Sequence, residues 1–424
     1  MRARISPSVI SGNVLVPPGK SMMQRICALA LMNKGTVEII NPGYSNDDLT
    51  ALKIIADCGA LVKKMGGHLL IESDGIIRVP NQIQVGESGL SVRMFTPLLA
   101  LSHQQFVVNG MGSLMNRPLT VLESILGTLG VEVKSTGAKL PLAVSGPMQV
   151  KSLVVNGSQS SQNLTGLLFA FCHGTQESVI IEVEHLVSKR YVDLSINLLR
   201  YFGYDITHHN YQQIIIHPFV KIKRDLSIAV ESDWSSASFL LVAACIAGEV
   251  SLSGLDLDSV QADRQIMEAI ASAGVKLNHE NGLLTVYRTE KIHPFSFDAT
   301  DCPDLFPPLA VLAAYAHGLS SIKGVYRLRE KESDRGFALF TELKKMGVDI
   351  RIENDCMHIV GRGAVTGAEV DAHHDHRIAM AMAVAGLSAK GETIVAGAES
   401  VKKSFPAFFE VLKDLKADVN LLED

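Results

Sequence analysis

A run of charged residues, Arg329-Glu330-Lys331-Glu332-Ser333-Asp334-Arg335, separates two segments whose patterns decide the fold. The segment before it, residues 320–326, is typical of a strand. The segment after it is apolar at helical spacing and ends at Gly347, which predicts a helix with Ser333 as its N-cap. The charged run therefore lies on a strand-to-helix turn, where free backbone N–H groups and the helix dipole favour the binding of an anion.

The same order of elements recurs along the chain: an apolar helix, a strand, a polar turn, an amphipathic helix and a residue that ends it. The residues that end the amphipathic helices are 70 to 73 positions apart, at Gly59, Gly130, Gly203, Gly274, Gly347 and Ala417. The strands before these helices are centred at similar intervals, on Ile39, Val107, Ile180, Ser251, Ile322 and Ile394. Such a period holds two helices and several strands, so each repeat is predicted to be a small α/β module. Six modules account for the 424 residues.

Two stretches are candidate linkers, Val14–Gly19 and Phe219–Asp225, and they flank the first three modules. The sequence therefore predicts two domains, one of residues 16–227 and one of residues 1–15 with 228–424, to which the first strand returns. The first helix of a module is apolar almost all round, which is typical of a buried helix. Five segments have this character: Ile26–Met32, Leu164–Cys172, Phe239–Ile246, Pro308–Ala316 and Ile378–Leu387.

Composition excludes several classes of protein. Hydrophobic residues make up 47% and charged residues 20% of the chain, as in ordinary soluble domains. The formal net charge of −5 favours no nucleic-acid partner, and the longest apolar helices are too short to cross a membrane. The start of the chain has no apolar segment of a secretory signal, so we expect a cytoplasmic protein. The cysteines are scattered and are expected to be reduced core residues: Cys27, Cys58, Cys172, Cys245, Cys302 and Cys356.

Five cations stand where helices are predicted to begin: Lys20, Arg117, Arg335, Arg377 and Lys403. A cation at a helix N-terminus opposes the helix dipole, so five such placements indicate a shared requirement. A ligand with several negative charges would meet it, if the helix starts of both domains face one cleft.

Two other types of site are considered and set aside. The cluster His373-His374-Asp375-His376 suggests a metal, but adjacent histidines point apart and no second ligand group has matching spacing. Gly19-Lys20-Ser21 matches the end of a nucleotide-binding phosphate loop, but Val14 stands where the first glycine of that motif belongs. We therefore expect neither a metal nor a nucleoside triphosphate.

Seven motifs, taken together and in order, resemble the EPSP synthase (3-phosphoshikimate 1-carboxyvinyltransferase) family. They cover nearly the whole chain: Pro-Gly-Lys-Ser at 18–21 with Arg25, Asn-Arg-Pro at 116–118, Ser-Ser-Gln-Asn-Leu-Thr at 160–165, Leu-Val-Ser-Lys-Arg-Tyr at 186–191, Lys-Glu-Ser-Asp-Arg at 331–335, Asp-His-Arg-Ile-Ala-Met at 375–380 and Lys-Ser-Phe-Pro at 403–406. The resemblance implies two similar domains, each of three βαβαββ units with buried parallel helices. It also implies transfer of the enolpyruvyl group of phosphoenolpyruvate to the 5-hydroxyl of shikimate 3-phosphate, without a metal or organic cofactor. Separately, the weak net charge and the self-contained cores indicate a monomer.

The resemblance also assigns the residues of the site. Those expected to bind shikimate 3-phosphate are Lys20, Ser21, Arg25, Ser160, Ser161, Ser188, Tyr191 and Asp304. Those expected to bind phosphoenolpyruvate are Lys20, Gly89, Arg117, Gln162, Arg335, Arg377 and Lys403. Asp304 is the candidate base for the 5-hydroxyl, assisted by Lys331; Glu332 is the candidate for proton transfer at C3, and Lys20 would cover the leaving phosphate. Which carboxylate handles which proton stays open.

Three residues depart from the family pattern. Glu87 and Leu90 replace an amide and a hydroxyl near the expected phosphate, and Arg327 replaces an asparagine.

Two other functions are weighed against the one that the resemblance implies. The enolpyruvyltransferase that acts on UDP-N-acetylglucosamine would require a reactive cysteine in the loop Gly110–Arg117, which has none. A non-catalytic anion-binding relative is favoured only by Glu87; the presence of Asp304, Lys331 and Glu332 together argues against it.

Overall fold

The computed structural model describes residues 1–219 and 223–423. Contacts divide the chain into two compact units: unit 1 comprises Met1–Pro17 and Ser232–Asp424, and unit 2 comprises Pro18–Glu231. Of the candidate linker Phe219–Asp225, residues 220–222 lie outside the described part of the chain. Helices and strands alternate throughout both units, as the predicted α/β fold requires.

Unit 2 contains three four-stranded sheets, each accompanied by two α-helices. Module one has, in sheet order, β14 (Leu226–Ala229), β3 (Lys34–Ile40), β5 (His68–Asp74) and β4 (Leu61–Met65), with α1 (Lys20–Met32) and α2 (Asn46–Asp57). Module two has β6 (Gln82–Gln84), β7 (Gln105–Asn109), β9 (Lys139–Ser145) and β8 (Glu132–Thr136), with α3 (Gly89–Leu99), α4 (Thr120–Thr128) and the 3-10 helix Gly112–Asn116. Module three has β10 (Leu153–Asn156), β11 (Val179–Glu184), β13 (Gln213–Ile216) and β12 (Ile206–His209), with α5 (Ser161–Gly174) and α6 (Lys189–Tyr201).

Unit 1 repeats this arrangement with three further sheets. Module four has β2 (Ile10–Leu15), β15 (Gly248–Ser253), β17 (Leu283–Tyr287) and β16 (Leu277–Glu280), with α7 (Trp234–Ala247), α8 (Ile266–Ser272) and the 3-10 helix Ala262–Gln265. Module five has β18 (Ser296–Asp298), β19 (His317–Lys323), β21 (Cys356–Arg362) and β20 (Asp349–Glu353), with α9 (Phe306–Tyr315), α10 (Arg335–Lys345) and the 3-10 helices Pro303–Leu305 and Val325–Leu328. Module six has β22 (Glu369–Asp371), β23 (Thr393–Ala396), β1 (Arg2–Ser6) and β24 (Asp418–Leu422), with α11 (His376–Gly386), α12 (Phe408–Asp414) and the 3-10 helix Ala398–Lys403.

All six sheets share one topology. The first two strands in each order pair in parallel, across the apolar helix, and the remaining pairs are antiparallel. Three strands stand apart in sequence from the modules that they complete, since β14 follows module three, and β1 and β2 precede module one. These displaced strands are the reason why unit 1 contains both ends of the described chain.

The displaced strands also correct the predicted domain boundaries by a few residues. Leu15 pairs with Ser253 of unit 1, and the N–H of Val16 donates to the carbonyl of the same residue at 3.1 Å. Ala229 pairs with Ile40 of unit 2. Because strand pairing continues beyond residues 15 and 227, the boundaries fall at Pro17 and Glu231.

The apolar helices form the cores, as predicted. Every residue of α3, α7, α9 and α11 is buried. In unit 2, a Cβ on Gly166 of α5 would collide with the carbonyl of Arg93 in α3, so only glycine permits this close approach. Among the described residues, none of the helices combines the length and the apolar character that crossing a membrane requires.

The ends of the amphipathic helices match the predicted glycines at five of six positions. Gly59, for example, has φ +110°, in the left-handed region that glycine adopts at low cost. The sixth prediction, Ala417, is wrong: the residue in this conformation is Lys416, with φ +71°. The helix ends one residue earlier than the spacing suggested, since its C-cap is Leu415.

Candidate active site

Side-chain hydrogen bonds join the N-terminal halves of three buried helices in unit 2. Gln24 of α1 accepts through Oε1 from the hydroxyl groups of Ser88 and Ser91, at 2.7 and 3.1 Å. These serines are the N-cap and the third residue of α3. Arg25 of α1 reaches Thr165 in the second turn of α5, where Nη2 lies 3.4 Å from Oγ1. The helices therefore begin at the same end of the unit, and their positive dipole ends face one region.

Lys20 is the first residue of α1 and is paired with an acid. Its Nζ lies 2.9 Å from Oδ2 of Asp47, in the first turn of α2. The side chain of Lys20 keeps 13% of its surface exposed. An anion can therefore approach this ammonium group without first displacing α1.

Arg25 lies deeper, with only 1% of its surface exposed. Its guanidinium donates to the hydroxyl of Ser195 at 2.9 Å and to the carbonyl of Ser21 at 2.7 Å. Burial lowers the pKa of Arg25 to about 10, which leaves the group charged at neutral pH. Because these two acceptors are neutral oxygens, they do not compensate the positive charge of Arg25. This charge adds positive potential beneath the start of α1.

Gly89, the first residue of α3, makes room for a guanidinium group. A Cβ at this position would lie 2.9 Å from Nη1 and 3.2 Å from Nη2 of Arg117. The Nε of Arg117 is buried and has no hydrogen-bond partner in the part of the chain that the structure describes. Arg117 thus stands beside the N-terminus of α3 with capacity to bind an anion.

Glu87, one of the departures from the family pattern, faces the short helix that precedes Arg117. Its Oε2 accepts from the backbone N–H and the hydroxyl of Ser113, at 3.1 and 3.2 Å. Ser113 is the second residue of the 3-10 helix Gly112–Asn116, where N–H groups favour a carboxylate. The acid therefore stabilises the loop that carries Arg117. Leu90 is 6% exposed and packs in the core of unit 2.

The predicted serines lie at the starts of α5 and α6. Ser160 is the N-cap of α5 and accepts from the N–H of Gln162 at 3.2 Å, and Ser161 is the first helical residue. Ser188 is the N-cap of α6 in the left-handed conformation, with φ +56°. The carbonyl of Tyr191, in the first turn of α6, accepts from Arg25 Nη2 at 3.5 Å.

Unit 1 brings together the starts of α7, α9 and α11 in the same way. Arg377, the second residue of α11, donates through Nη2 to the hydroxyl of Ser235 in α7 at 2.7 Å. The same nitrogen lies 3.0 Å from Oδ2 of Asp304, just before α9. The N-terminal turns of the three helices are thus joined through one guanidinium group.

Arg335, the first residue of α10, is fully buried among three carboxylates. It donates to Asp375 through Nε at 2.7 Å, to Asp304 through Nη1 at 2.8 Å, and to Glu332 through Nη2 at 2.6 Å. Burial alone would lower the pKa of Arg335, but the three carboxylates hold it above its usual value. This group is a permanent cation at the centre of the cluster.

Asp304 and Lys331 have opposite electrostatic environments. Burial acts to raise the pKa of Asp304, but Arg377, Lys331 and Arg335 together hold it well below its usual range. Burial lowers the pKa of Lys331 to about 8, against the opposing effect of Asp304, whose Oδ1 lies 3.6 Å from Nζ. Lys331 is therefore the member of the pair that can exchange a proton near neutral pH.

One further cation and one further acid complete the cluster. Lys403 Nζ lies 3.9 Å from Oε1 of Glu332. Asp263 is 2% exposed, and burial together with the neighbouring Asp304 raises its pKa to about 7. The cluster thus holds four cations against carboxylates of which one is only partly ionised at neutral pH.

Comparison with known proteins identifies relatives that match nearly the whole chain. The family model described as EPSP synthase (3-phosphoshikimate 1-carboxyvinyltransferase) matches residues 5–412. The chain belongs to the EPSP synthase family. Curated relatives named 3-phosphoshikimate 1-carboxyvinyltransferase include one from Methanosarcina mazei, 37% identical over 99% of both chains. Another, from Aeropyrum pernix, is 36% identical over 100% of this chain and 97% of its own.

A solved structure agrees with the family assignment. EPSP synthase from Acinetobacter baumannii superposes with a TM-score of 0.82 at 27% identity, covering 99% of this chain and 100% of the other. The predicted α/β fold of the EPSP synthase family is therefore confirmed.

The EPSP synthase family residues predicted from sequence fall into two clusters. Unit 1 assembles five of them in mutual contact: Asp304, Lys331, Glu332, Arg335 and Arg377, with Lys403 beside Glu332. Unit 2 contains the others at the starts of its helices: Lys20, Ser21, Arg25, Gly89, Arg117, Ser160, Ser161, Gln162, Ser188 and Tyr191.

Three predictions about helix starts require correction. Arg117 is the C-cap of a 3-10 helix and Lys403 is the last residue of another, so neither opposes the dipole of an α-helix. Lys20, Arg335 and Arg377 do lie in the first turns of α-helices. The predicted N-cap Ser333 is also wrong, because Asp334 accepts from the N–H of Phe337 at 3.1 Å. Ser333 instead donates to Asp375 at 3.1 Å.

Sequence reasoning missed several residues of the site. The sequence indicates Asp375 only as a member of two motifs, with no role of its own, yet it binds both Arg335 and the N–H of Arg377. Asp47 and Asp263 were not selected, since an acid in the first turn of a helix is ordinary.

Proposed function

We propose that this chain transfers the enolpyruvyl group of phosphoenolpyruvate to the 5-hydroxyl of shikimate 3-phosphate, releasing phosphate. Family membership over nearly the whole chain supports the reaction. The observation that carries the proposal is one cluster in which Asp304 and Glu332 contact the buried guanidinium of Arg335, and Lys331 lies 3.6 Å from Asp304. Acid–base groups beside fixed cations are what proton transfer next to a phosphate requires.

The proposal assigns both clusters to substrate binding. In unit 2, the N–H groups and hydroxyls at the starts of α1, α5 and α6, with Lys20 and Arg25, would hold shikimate 3-phosphate. Arg117 and Gly89 at α3, with Gln162, would contact phosphoenolpyruvate. In unit 1, Arg335, Arg377 and Lys403 would bind the carboxylate and phosphate of phosphoenolpyruvate, because guanidinium groups match both anions in bidentate geometry.

The reaction proceeds by addition and elimination. In the addition, the 5-hydroxyl oxygen forms a bond to C2 of phosphoenolpyruvate, its proton passes to a base, and C3 gains a proton. In the elimination, the bond between C2 and the phosphate oxygen breaks and C3 loses a proton, which restores the double bond. Glu332, 2.6 Å from Arg335, is proposed to move the proton at C3, and Lys20 to stabilise the departing phosphate.

The base for the 5-hydroxyl is proposed to be the Asp304–Lys331 pair. Asp304 alone is a weak base while three cations surround it. When Arg335 and Arg377 turn towards the charges of phosphoenolpyruvate, the pKa of Asp304 rises, and the carboxylate can accept a proton. Lys331, with a pKa of about 8, can then take that proton onward. Binding of one substrate would thus activate the group that deprotonates the other.

The experiment is an assay of phosphate release from phosphoenolpyruvate. Release should require shikimate 3-phosphate and fall at least about a hundredfold in Lys20→Met and Glu332→Gln. Lys53→Met and Glu330→Gln, at exposed positions, are the matched controls and should retain wild-type rates. Release driven by UDP-N-acetylglucosamine would favour the related enolpyruvyltransferase. No phosphate release with either acceptor would refute the transferase and favour a non-catalytic anion-binding role.

The proposal also includes a monomer in the cytoplasm that uses no metal or organic cofactor. The six cysteines are free, which is typical of a reducing compartment. Sedimentation at several protein concentrations tests the monomer, and activity after dialysis against a chelator tests the independence from metal. Activity lost with the chelator and restored by a divalent cation would contradict this part of the proposal.

A further inference from the structure

The loop between β22 and α11 has a backbone that its own residues do not favour. His373 and His374, at its centre, have φ of +50° and +55°. For residues other than glycine the left-handed conformation is sterically unfavourable, because Cβ crowds the following carbonyl oxygen. The surrounding structure must therefore hold this loop in place, and the loop leads directly to Asp375.

A buried acid in α10 binds the first part of the loop. Glu342 is 1% exposed and lies two helical turns after Arg335. Its Oε1 lies 2.8 Å from Nε2 of His373. Its Oε2 accepts from the backbone N–H of Asp371 at 3.0 Å and from Lys345 at 2.7 Å. One carboxylate thus contacts the end of β22 and the first strained residue.

The last residue of the loop is bound by the start of the same helix. Asp375 is fully buried, and its Oδ2 accepts from Nε of Arg335 at 2.7 Å and from the hydroxyl of Ser333 at 3.1 Å. Its Oδ1 accepts from the N–H of Arg377 at 3.0 Å. The α10 helix therefore holds the loop at two points, Glu342 at one end and Arg335 at the other.

We infer that Glu342 is a positioning residue for the transferase reaction: it acts through His373 to keep Asp375 where it orients Arg335. Glu342 itself makes no contact with the proposed substrates in this assignment, and the inference rests on the proposed function. If the contact with His373 is lost, the strained loop can relax towards commoner backbone angles. Asp375 then moves, and Arg335 loses the partner on its Nε.

The test separates a positioning role from a general loss of stability. Glu342→Ala should raise the KM for phosphoenolpyruvate at least about tenfold and lower kcat, because Arg335 is assigned to that substrate. The Kd for shikimate 3-phosphate, titrated without phosphoenolpyruvate, should stay within twofold of wild type. Glu410→Ala, on the exposed face of α12, is the matched control and should change neither value.

Two further variants keep the inference testable if Glu342→Ala fails to fold. Glu342→Gln keeps an oxygen for the N–H of Asp371 and can donate to Nε2 of His373. Its KM for phosphoenolpyruvate should therefore stay close to that of wild type. His373→Ala, at a half-exposed position, should reproduce the rise in KM of Glu342→Ala. The double variant Glu342→Ala/His373→Ala should have a KM for phosphoenolpyruvate no higher than that of either single variant, because both changes remove one contact. Fully additive effects, or an unchanged KM in folded variants, would overturn the inference.

A crystal structure of Glu342→Ala, or of His373→Ala, gives a readout that does not depend on turnover. The distance between Arg335 Nε and Asp375 Oδ2 should lengthen beyond hydrogen-bond range. If it stays at 2.7 Å in both variants, the positioning role is refuted, whatever the activity. A wild-type chain without phosphate release would instead refute the proposed function and leave this geometric result standing.

Discussion

Nη1 of Arg335 and Oδ1 of Asp304 form a hydrogen bond of 2.8 Å between a fully buried guanidinium and the carboxylate proposed as base. A cation at this distance stabilises the ionised carboxylate and weakens it as a base. The same guanidinium is proposed to bind phosphoenolpyruvate. Under that proposal, the contact would couple substrate binding to the basicity of Asp304.

Replacement of Asp304 should abolish turnover without abolishing the fold. Asp304→Asn keeps the shape but removes the negative charge that three cations share, so kcat should fall about 10²- to 10⁴-fold. Steady-state kinetics and circular dichroism measure the two effects. Asp349→Asn, at an exposed position of β20, is the control. A kcat within threefold of wild type in Asp304→Asn would remove Asp304 from the proposed base.

The pH dependence of kcat/KM should report Lys331. If neutral Lys331 takes the proton, kcat/KM for phosphoenolpyruvate rises with pH through about 8 and levels off above it. Rates between pH 7 and 9.5 avoid the ionisation of the substrate phosphates, which is complete near pH 7. Lys331→Arg, with a cation that does not titrate, should be slow and should lack this rise. Lys323→Arg, in the exposed ion pair with Asp298, should keep it.

A methyl group on Gly89 should weaken the binding of phosphoenolpyruvate selectively. In Gly89→Ala, the Cβ would stand 2.9 Å from Nη1 of Arg117, so the guanidinium must move. We expect the KM for phosphoenolpyruvate to rise about tenfold, a loss of about 1.4 kcal/mol, with the Kd for shikimate 3-phosphate unchanged. Gly127→Ala in α4, where a Cβ meets no atom within 4 Å, is the control. Equal losses for both substrates would indicate a general distortion of unit 2.

The free energy of unfolding should include a pH-dependent contribution from Asp48. Burial raises the pKa of this side chain to about 6, above its value of about 4 in an unfolded chain. The protonated form is therefore favoured by folding, so the stabilisation is full below pH 4 and is lost as pH rises through 6. The difference corresponds to about 3 kcal/mol.

Asp48→Asn removes this dependence, since the amide oxygen can still accept from Ser45. The melting temperature of Asp48→Asn relative to wild type should therefore increase between pH 4.5 and 7. Asp57→Asn, at the partly exposed end of the same helix, is the control and should show no such trend. A constant difference across this range would contradict the raised pKa.

Repetition made much of the fold predictable from sequence. The positions of Gly59, Gly130, Gly203, Gly274 and Gly347 mark helix ends that need φ > 0, and that need is local. Lys416 escaped prediction because a lysine can adopt this conformation without a sign in the sequence. Boundaries were displaced by a few residues, because strand pairing with a distant partner decides where β2 and β14 end.

The candidate site was predictable in its residue types and less so in its contacts. Lys20, Arg335 and Arg377 stood out because a cation at a helix start conflicts with the dipole. Their partners did not stand out: Asp375 lies 40 residues from Arg335, and Ser235 lies 142 from Arg377. Nothing local in Arg25 distinguishes a ligand-facing guanidinium from one that donates to Ser195, 170 residues away.

The sequence by itself determined six α/β modules, the buried character of their first helices and the family to which the chain belongs. These follow from periodicity and short-range backbone preferences, which each segment carries wherever it lies. Only the tertiary structure decided that Arg335 is surrounded by Asp304, Glu332 and Asp375, and that Glu342 holds the strained loop before α11. The reason is that electrostatic and hydrogen-bond energies depend on distance and burial, and folding sets both between residues far apart in the chain.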